Sequence, residues 1–254
     1  MKFDNKVVLL TGASTGIGNE IAHQLLAQKN IKLALVARRE NLLRENFSEN
    51  ENLLVIKCDV SNKDEVNAAY LKVIEKFNRI DVAILNAGYS VRMPVENYNS
   101  EAAEKTFGAN VFGIIYWVEK IIPDFMQRKS GIIVGVSSLA DSKGYSKSGF
   151  YSASKAAATT YLEGLRTELN KYNVKVLTVR PGFVKTPMTD KNEFKMPFMM
   201  NVDKAAKIII EGIESEKRMI QFPWQLVIAT RLIPLIPNWI YEKLESLTVE
   251  KYKK

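Results

Sequence analysis

Short runs of apolar, mostly β-branched residues alternate along this chain with segments in which apolar residues recur every three or four positions. The first pattern is typical of strands buried on both faces of a sheet, and the second is typical of amphipathic helices. The segments that we interpret as strands are 7–10, 32–37, 53–58, 81–85, 131–136 and 173–179. Helices are expected near 17–26, 63–77, 101–126 and 151–172. This alternation predicts an α/β fold with a doubly wound parallel sheet.

The first strand runs into a glycine-rich turn, Thr11-Gly12-Ala13-Ser14-Thr15-Gly16-Ile17-Gly18, and then into a helix. In a nucleotide-binding turn, Gly12 would permit the sharp bend, Gly16 the approach of a diphosphate, and Gly18 close packing of helix on strand. The helix N-terminus would supply free N–H groups and partial positive charge. Three glycines alone are weak evidence, but the flanking strand and helix favour a dinucleotide site.

The ends of the next three strands carry further candidate ligands. The second strand ends at Ala37, where an acid would bind the ribose of NAD, and Arg38-Arg39 follow instead. Arginine accommodates a 2′-phosphate, so NADP(H) is favoured over NAD(H). The alternative is a solvent-exposed arginine pair. Asp59, followed by Val60, would either accept from the adenine amino group or cap the next helix. The small residues Asn86-Ala87-Gly88 would let a ligand lie against the backbone.

Tyr151 and Lys155 lie four residues apart in a predicted helix, and therefore on one face of it. An ammonium near a phenol is expected to lower the pKa of Tyr151 toward the working pH of a general acid. Ser138 follows a predicted buried strand, so its hydroxyl could reach the same site. Asn110 interrupts a helix that it does not favour, which suggests a specific role. The alternatives are a surface Tyr–Lys pair and a solvent-facing asparagine.

Composition narrows the functional classes. The chain has 254 residues with one Cys and one His, so neither disulfides nor a Cys/His metal site is expected. We interpret Cys58 as a core residue in a reducing compartment. The net charge of +8 comes from scattered Lys and Arg among 28 acidic residues, which does not indicate nucleic-acid binding. The first residues lack the apolar core of a signal peptide and no apolar run is long enough to span a bilayer, so a cytoplasmic protein is expected.

Over about residues 5–215 the chain resembles the short-chain dehydrogenase/reductase family. The resemblance rests on several motifs in the family's order: Thr11-Gly12-x-x-x-Gly16-x-Gly18, Asn86-Ala87-Gly88, Asn110, Ser138, Tyr151-x-x-x-Lys155 and Pro181-Gly182. It implies a seven-stranded Rossmann-type sheet, a nicotinamide cofactor and a homodimer or homotetramer. It also implies a catalytic tetrad of Asn110, Ser138, Tyr151 and Lys155.

The resemblance also assigns roles. Tyr151 would exchange a proton with the substrate oxygen, Ser138 would hydrogen-bond that oxygen, and Lys155 would hold the nicotinamide ribose. Asn110 would hold a water molecule that connects Lys155 to solvent, and Thr186 would contact the nicotinamide carboxamide. The residues expected to contact the cofactor are Gly12, Ser14, Thr15, Gly16, Ile17, Gly18, Arg38, Arg39, Asp59, Val60, Asn86, Ala87, Gly88, Tyr151, Lys155, Pro181, Gly182, Val184 and Thr186.

We divide the chain into a catalytic domain, residues 1–218, with a lid at about 187–203, and a C-terminal extension, residues 219–254. Methionine and phenylalanine in the lid suggest an adaptable apolar pocket and a lipophilic substrate. Alternatively, the lid packs only on its own protein. The extension is apolar and contains three prolines, so it cannot form one regular helix. It would cover the domain or the substrate opening, contact a partner subunit, or make peripheral contact with a membrane surface.

These patterns together predict an oxidoreductase that transfers hydride between NADP(H) and a small-molecule carbonyl or alcohol. The alternatives are a non-catalytic dinucleotide-binding protein and a membrane-peripheral scaffold protein. A non-catalytic relative would be expected to lose Tyr151 or Lys155, and both are present.

Overall fold

The computed structural model describes the backbone of residues 2–251 and the side chains of residues 2–246. Seven parallel strands form one sheet, which confirms the predicted Rossmann-type architecture. The strands are β1 (Val7–Thr11), β2 (Lys32–Ala37), β3 (Leu53–Lys57), β4 (Val82–Leu85), β5 (Gly131–Val136), β6 (Val174–Pro181) and β7 (Met219–Phe222). Their order across the sheet is β3-β2-β1-β4-β5-β6-β7. The order reverses between β1 and β4, where α/β sheets open a crevice at the strand carboxyl ends.

Helices pack on both faces of this sheet. The described helices are α1 (Gly16–Leu26), α2 (Glu40–Asn46), α3 (Lys63–Phe77), α4 (Ser100–Phe107), α5 (Gly113–Arg128), α6 (Gly149–Leu169), α7 (Val202–Glu214), α8 (Trp224–Leu232) and α9 (Asn238–Lys251). Residues of α1, α2 and α7 pack on one face of the sheet, and residues of α3, α5 and α6 pack on the other. α3 illustrates how the sequence determines where a helix begins and ends. The Asn62 side chain accepts from the backbone N–H groups of Asp64 and Glu65 at its start, and Asn78 adopts a left-handed conformation at its end.

The pattern of β1 explains why both faces of the sheet are buried. Side chains alternate across a strand, so Val8 and Leu10 enter the hydrophobic core on one face and Val7 and Leu9 enter the core on the other. All four are shielded from solvent. Residues of α1 and α7 complete the first core, and residues of α3, α5 and α6 complete the second. The strand ends are thereby held rigidly beside one another.

The helix expected over residues 101–126 is not continuous. A π-helical turn, Gly108–Phe112, separates α4 from α5. It contains Asn110, whose side chain bonds to the backbone of Tyr89 on a different segment. The extra residue in this turn aims Asn110 inward, which a regular helix predicted from periodicity would not show. Single π turns of this kind are frequent at functional sites.

The C-terminal segment begins inside the sheet. β7 pairs with β6, so the sheet includes the first residues of the predicted extension. α8 and α9 follow, separated by the 3₁₀ turn Ile233–Leu235, where Pro234 and Pro237 interrupt regular helix. Between residues 2 and 251, none of the helices combines the length and the apolar character needed to cross a bilayer.

Candidate active site

The glycine-rich turn between β1 and α1 forms one wall of a cleft at the strand carboxyl ends. Gly12 and Gly16 have φ angles of +70° and +61°, a region that favours glycine. A Cβ on Gly12 would lie 2.7 Å from Cα of Ala87, and one on Gly18 would lie 2.4 Å from the carbonyl oxygen of Gly12. These contacts leave no space for side chains. The turn therefore presents bare backbone and the start of α1, which fits a diphosphate.

Asn86 holds this turn against the end of β4. Its Nδ2 donates to the carbonyl oxygens of Thr11 and Gly12 at 3.0 and 3.3 Å. Thr11 Oγ1 in turn accepts from the backbone N–H groups of Asn86 and Ala87, both at 3.0 Å. Sequence reasoning used Thr11 only as part of a motif. The structure shows that its hydroxyl connects β1 to β4 at the strand switch.

The two arginines after β2 occupy different places. Nη2 of Arg39 donates to Ser14 Oγ at 3.2 Å and to Thr15 Oγ1 at 2.7 Å, above the glycine turn. Arg38 lies 3.6 Å from Asp59, and its side chain is 60% exposed. Both residues line the cleft. Arg39 is thus positioned by the turn itself, a contact that the sequence did not reveal.

Ser138, Tyr151 and Lys155 line the other end of the same cleft. Ser138 follows β5 and caps the 3₁₀ turn Leu139–Asp141, where its Oγ accepts from the N–H of Ala140 at 3.1 Å. Lys155 is 3% exposed, and its Nζ donates to the carbonyl oxygen of Val136 at 2.9 Å. The structure therefore brings together a hydroxyl, a phenol and an ammonium.

Asn110 lies behind these groups and is fully buried. Its Nδ2 donates to the Tyr89 carbonyl and to Ser154 Oγ, both at 2.9 Å, and its Oδ1 accepts from the Tyr89 N–H at 2.8 Å. A Cβ built on Gly88 would lie 3.2 Å from Oδ1 of Asn110 and 3.5 Å from Nζ of Lys155. The asparagine thus fixes the backbone beside the lysine, although it does not line the cleft itself.

Burial dominates the electrostatics of the site. It lowers the pKa of Lys155 to about 8, while the Asp141 carboxylate acts in the opposite direction. Burial raises the pKa of Tyr151; the nearby Ser138 hydroxyl lowers it, and Asp141 adds to the increase. The expected lowering of the Tyr151 pKa by Lys155 is therefore wrong here. The ammonium is bonded to Val136 and lies 5.8 Å from the centre of the tyrosine ring.

The cleft has a volume of about 250 Å³ and collects nearly all the residues expected to contact a cofactor. The residues expected from the sequence that line it are Gly12, Ser14, Thr15, Gly16, Ile17, Arg38, Arg39, Asp59, Val60, Asn86, Ala87, Gly88, Ser138, Tyr151, Lys155, Pro181, Gly182, Val184 and Thr186. Gly18 lies just outside, packed on Gly12. Pro187, Met188 and Thr189 of the expected lid also line the cleft, and the lining residues that were not expected to contact a ligand are Ala37, Cys58, Ala109, Val136 and Ser137.

Several of the missed lining residues had a sequence signal. Ala37, Cys58 and Val136 each end or follow a predicted strand, and strand carboxyl ends form the crevice of this fold. No group of three or more His, Cys, Asp or Glu side chains suited to a metal ion occurs in the part of the chain that the structure describes. The cleft therefore has the glycine-rich turn at one end and the hydroxyl, phenol and ammonium groups of Ser138, Tyr151 and Lys155 at the other.

Comparisons with known proteins find similar sequences over most of the chain. The model of the short chain dehydrogenase family matches residues 6–196. An uncharacterized oxidoreductase of Myxococcus xanthus is 31% identical over 241 residues, 93% of this chain and 95% of that protein. An uncharacterized oxidoreductase of Staphylococcus saprophyticus is 33% identical over 199 residues, 76% of this chain and 85% of that protein.

Solved structures share the fold at lower identity. A short chain dehydrogenase/reductase of Burkholderia phymatum in complex with NAD has a TM-score of 0.82 at 22% identity, covering 91% of this chain and 94% of that one. A short chain dehydrogenase of Burkholderia cenocepacia in complex with NADP has a TM-score of 0.82 at 24% identity, covering 96% and 99%. The nucleotides belong to those two proteins, and the likeness to this chain is one of fold.

Proposed function

The chain belongs to the short chain dehydrogenase family of oxidoreductases, and from this premise we propose that it transfers hydride between NADP(H) and the carbonyl or alcohol carbon of a lipophilic small molecule. The observation that carries the proposal is that one cleft contains both the glycine-rich turn and the group of Ser138, Tyr151 and Lys155. A dinucleotide-binding turn alone would fit a sensor protein. The addition of three proton-carrying side chains supports catalysis.

The residues of the cleft fit a nicotinamide dinucleotide. The glycine turn leaves room for a diphosphate where side chains would collide with the backbone of Ala87 or Gly12. Ser14, Thr15 and Arg39 would bind phosphate oxygens, and Thr186, whose side chain lies against Gly16, would reach the carboxamide side. When bound, the cofactor would supply the hydride, and the protein would orient the cofactor and transfer the proton.

Proton transfer falls to Tyr151. In the reductive direction its hydroxyl gives a proton to the substrate oxygen, and in the oxidative direction the phenolate removes one. Ser138 donates a hydrogen bond to the same oxygen where negative charge develops. The Lys155 ammonium, which the Val136 carbonyl holds beside the cleft, would bind the nicotinamide ribose. Asn110 holds the backbone at Tyr89 next to Lys155 and would bind the water that returns a proton to it.

The NADP preference rests on the two arginines and on the absence of an acid at Ala37. A 2′-phosphate placed at the end of β2 would meet the guanidinium groups of Arg38 and Arg39, which border the cleft there. Their existing partners, Asp59 for Arg38 and Ser14 and Thr15 for Arg39, hold them near that position. Because relatives of this fold bind either nucleotide, the preference is a separate proposal from hydride transfer.

The lipophilic substrate is proposed from the lid. Phe183 and Phe194 meet edge to face at 5.9 Å between ring centres, and Met188 lines the cleft. Phe198 and Met199 remain exposed. Apolar, flexible side chains at a cleft mouth favour an apolar partner.

The C-terminal extension gives a second, membrane-peripheral candidate function. Trp224, Ile228 and Leu232 recur every four residues along α8 and are each at least half exposed, and Trp239 is 70% exposed on α9. Arg231 lies beside them. An exposed apolar stripe with Trp and a basic neighbour fits the surface of an anionic bilayer. A cytoplasmic enzyme that acts on membrane-derived substrates and assembles as a homodimer or homotetramer would combine both candidates.

Hydride transfer is tested by measuring the oxidation of the cofactor. NADPH consumption is measured with a panel of apolar ketones, aldehydes and quinones for wild-type protein, Tyr151→Phe and Tyr161→Phe. Tyr161 lies on α6 outside the cleft and serves as the matched control. We expect Tyr151→Phe to lose most turnover while binding NADPH normally, and Tyr161→Phe to resemble wild type. Full turnover in Tyr151→Phe would remove the assigned acid.

A further inference from the structure

Asp141 and Arg180 form a buried ion pair behind the proton-carrying groups. Nε of Arg180 donates to Oδ2 of Asp141 at 2.7 Å, and its Nη2 donates to Oδ1. The side chains are 2% and 15% exposed for Asp141 and Arg180. A two-point contact of this kind fixes both groups with little freedom. The pair is absent from every motif used to assign the family, and the proposed mechanism does not use it.

The pair joins the three segments that carry the site. Asp141 ends the turn that Ser138 begins, and Arg180 precedes Pro181 at the end of β6. Thr159, one turn beyond Lys155 on α6, donates from Oγ1 to Oδ2 of Asp141 at 2.6 Å. The carboxylate therefore binds the serine turn, the last strand of the cleft and the helix of the tyrosine at one point.

Ser137 extends this connection to the lysine. Its Oγ donates to the backbone carbonyl of Lys155 at 2.9 Å and lies 2.7 Å from Thr159 Oγ1. The carboxylate is thus two hydroxyl groups away from the backbone of Lys155. Its charge also acts on both proton-carrying groups: it raises the pKa of Lys155, which burial lowers, and it adds to the rise that burial causes in the pKa of Tyr151.

Other charges near α6 are less enclosed. Lys143 and Lys147, in the loop before α6, are half-buried, and Lys143 bonds to Asn238 on α9. Glu245 on α9 accepts from the N–H of Ser146 in the same loop. On α4, the charged side chains Glu101, Glu104 and Lys105 are exposed. Among the described residues, Asp141 is the charge that influences Tyr151 and Lys155 together.

We propose that Asp141 is a positioning residue for the reaction, whose carboxylate, balanced by Arg180, keeps Tyr151 and Lys155 in their proton-carrying forms at working pH. This inference rests on the proposed function, since it concerns the proton that Tyr151 delivers. A purely structural pair would hold the turn in place without affecting the protonation of the site. The two roles differ in how the variants respond to pH.

The first test is the pH profile of reduction. Asp141→Asn removes the negative charge and leaves Arg180 unbalanced, so both proton-carrying groups lose their protons more easily. We expect the alkaline decline of kcat/KM to move down by about one pH unit, a common effect of one nearby charge. The double variant Asp141→Asn/Arg180→Gln has the same net charge at this position as wild type, and its decline should return toward the wild-type pH.

Asp81→Asn is the matched control. Asp81 is another buried carboxylate paired with arginines, Arg79 and Arg128, but it lies at the amino end of β4, away from the cleft. It should lower stability without moving the profile. If Asp141→Asn lowers kcat/KM by the same factor at every pH, the role of Asp141 is structural and the proposal is overturned. If the alkaline decline of the double variant lies at the same pH as that of Asp141→Asn alone, the claim that Arg180 balances the charge of Asp141 is wrong.

The second test needs neither substrate nor cofactor. The phenolate absorbance of the protein is titrated with and without Tyr151→Phe, and the difference isolates the ionisation of Tyr151. The same titration in the Asp141→Asn background should place that ionisation at lower pH, and an unchanged ionisation would overturn the inference. If wild-type protein oxidises no NADPH but the ionisation still shifts, the proposed function fails and the role of Asp141 stands. Thermal unfolding of each variant confirms that folded protein is compared.

Discussion

The ammonium of Lys155 donates a hydrogen bond to the backbone carbonyl of Val136 at 2.9 Å, within a site where the lysine is nearly inaccessible to solvent. This bond fastens α6 to the last residue of β5, two residues before Ser138. One side chain therefore both supplies positive charge and holds the tyrosine helix against the sheet. Substitutions of Lys155 should affect the chemistry and the stability together.

Lys155→Met tests that double role. We expect turnover to fall by about 100-fold or more, the usual contribution of a group that assists proton transfer. Stability should fall by about 1–3 kcal/mol, because the Val136 carbonyl loses its buried donor. Initial rates and chemical denaturation measure the two effects. Lys171→Met, at an exposed position in the 3₁₀ turn Asn170–Tyr172 that follows α6, is the control and should change neither. Normal turnover in Lys155→Met would contradict the assignment.

The pH dependence of the wild-type enzyme follows from the same burial. The pKa of Lys155 is lowered to about 8, so the side chain is charged below that pH and neutral above it. We expect carbonyl reduction, which needs the charged lysine and the protonated tyrosine, to be fastest at neutral pH or below. The rate should fall as the pH rises past about 8. Initial rates at saturating substrate would test this, and a rate that stays constant well above that pH would exclude the lysine as the controlling group.

Gly18→Ala should damage the nucleotide site through packing alone. The new Cβ would lie 2.4 Å from the Gly12 carbonyl oxygen, so the turn must move. We expect weaker NADPH binding and a lower unfolding temperature. Gly164→Ala is the matched change, because no neighbouring atom lies within 4 Å of its Cβ in the exposed middle of α6. It should stabilise by about 0.5–1 kcal/mol, the helix preference for alanine, and leave NADPH binding unchanged.

Arg38→Ala tests the cofactor preference. A lost charge-assisted contact to a 2′-phosphate would cost about 1.5–3 kcal/mol, so NADPH affinity should fall by about tenfold or more. NADH lacks that phosphate, and its affinity should change little. Fluorescence titration with both nucleotides provides the comparison. The control is Arg44→Ala, because Arg44 pairs with Glu40 on α2 and Glu49 in the following loop and does not line the cleft. Equal losses for both nucleotides would leave the preference without support.

Membrane contact is tested by point substitution, because removal of residues 219–254 would also remove β7 from the sheet. Trp224→Ser combined with Ile228→Asn should abolish co-sedimentation with vesicles rich in anionic lipid and preserve activity. Leu71→Asn changes an equally exposed apolar residue on α3 and should leave co-sedimentation intact. If instead the double substitution changes only the oligomeric mass, the stripe on α8 is a subunit contact.

The sheet and the glycine turn could be predicted because their signals are local. Buried strands such as Val7–Thr11 show as continuous apolar runs, and the spacing of Gly12, Gly16 and Gly18 is fixed by a single bend. Tyr151 and Lys155 could be paired from helical spacing alone. Each of these inferences needed only residues that are close together in the sequence.

The remaining features depend on contacts between distant segments. The π turn at Asn110 is set by bonds to Tyr89, twenty-one residues earlier, and no periodicity reports it. The pairing of Asp141 with Arg180 spans thirty-nine positions. The predicted direction of the Tyr151 pKa shift was wrong. Burial, which depends on the whole fold, raises this pKa, and the Lys155 ammonium that was expected to lower it is bonded to Val136 instead.

The C-terminal helix is attached to the loop that precedes the tyrosine. Tyr241 donates its hydroxyl proton to the carbonyl of Gly144 at 2.6 Å, and Glu245 accepts from the N–H of Ser146 at 2.8 Å. A displacement of α9 would therefore also move the loop at Gly144 and Ser146, which leads directly into α6 and Tyr151.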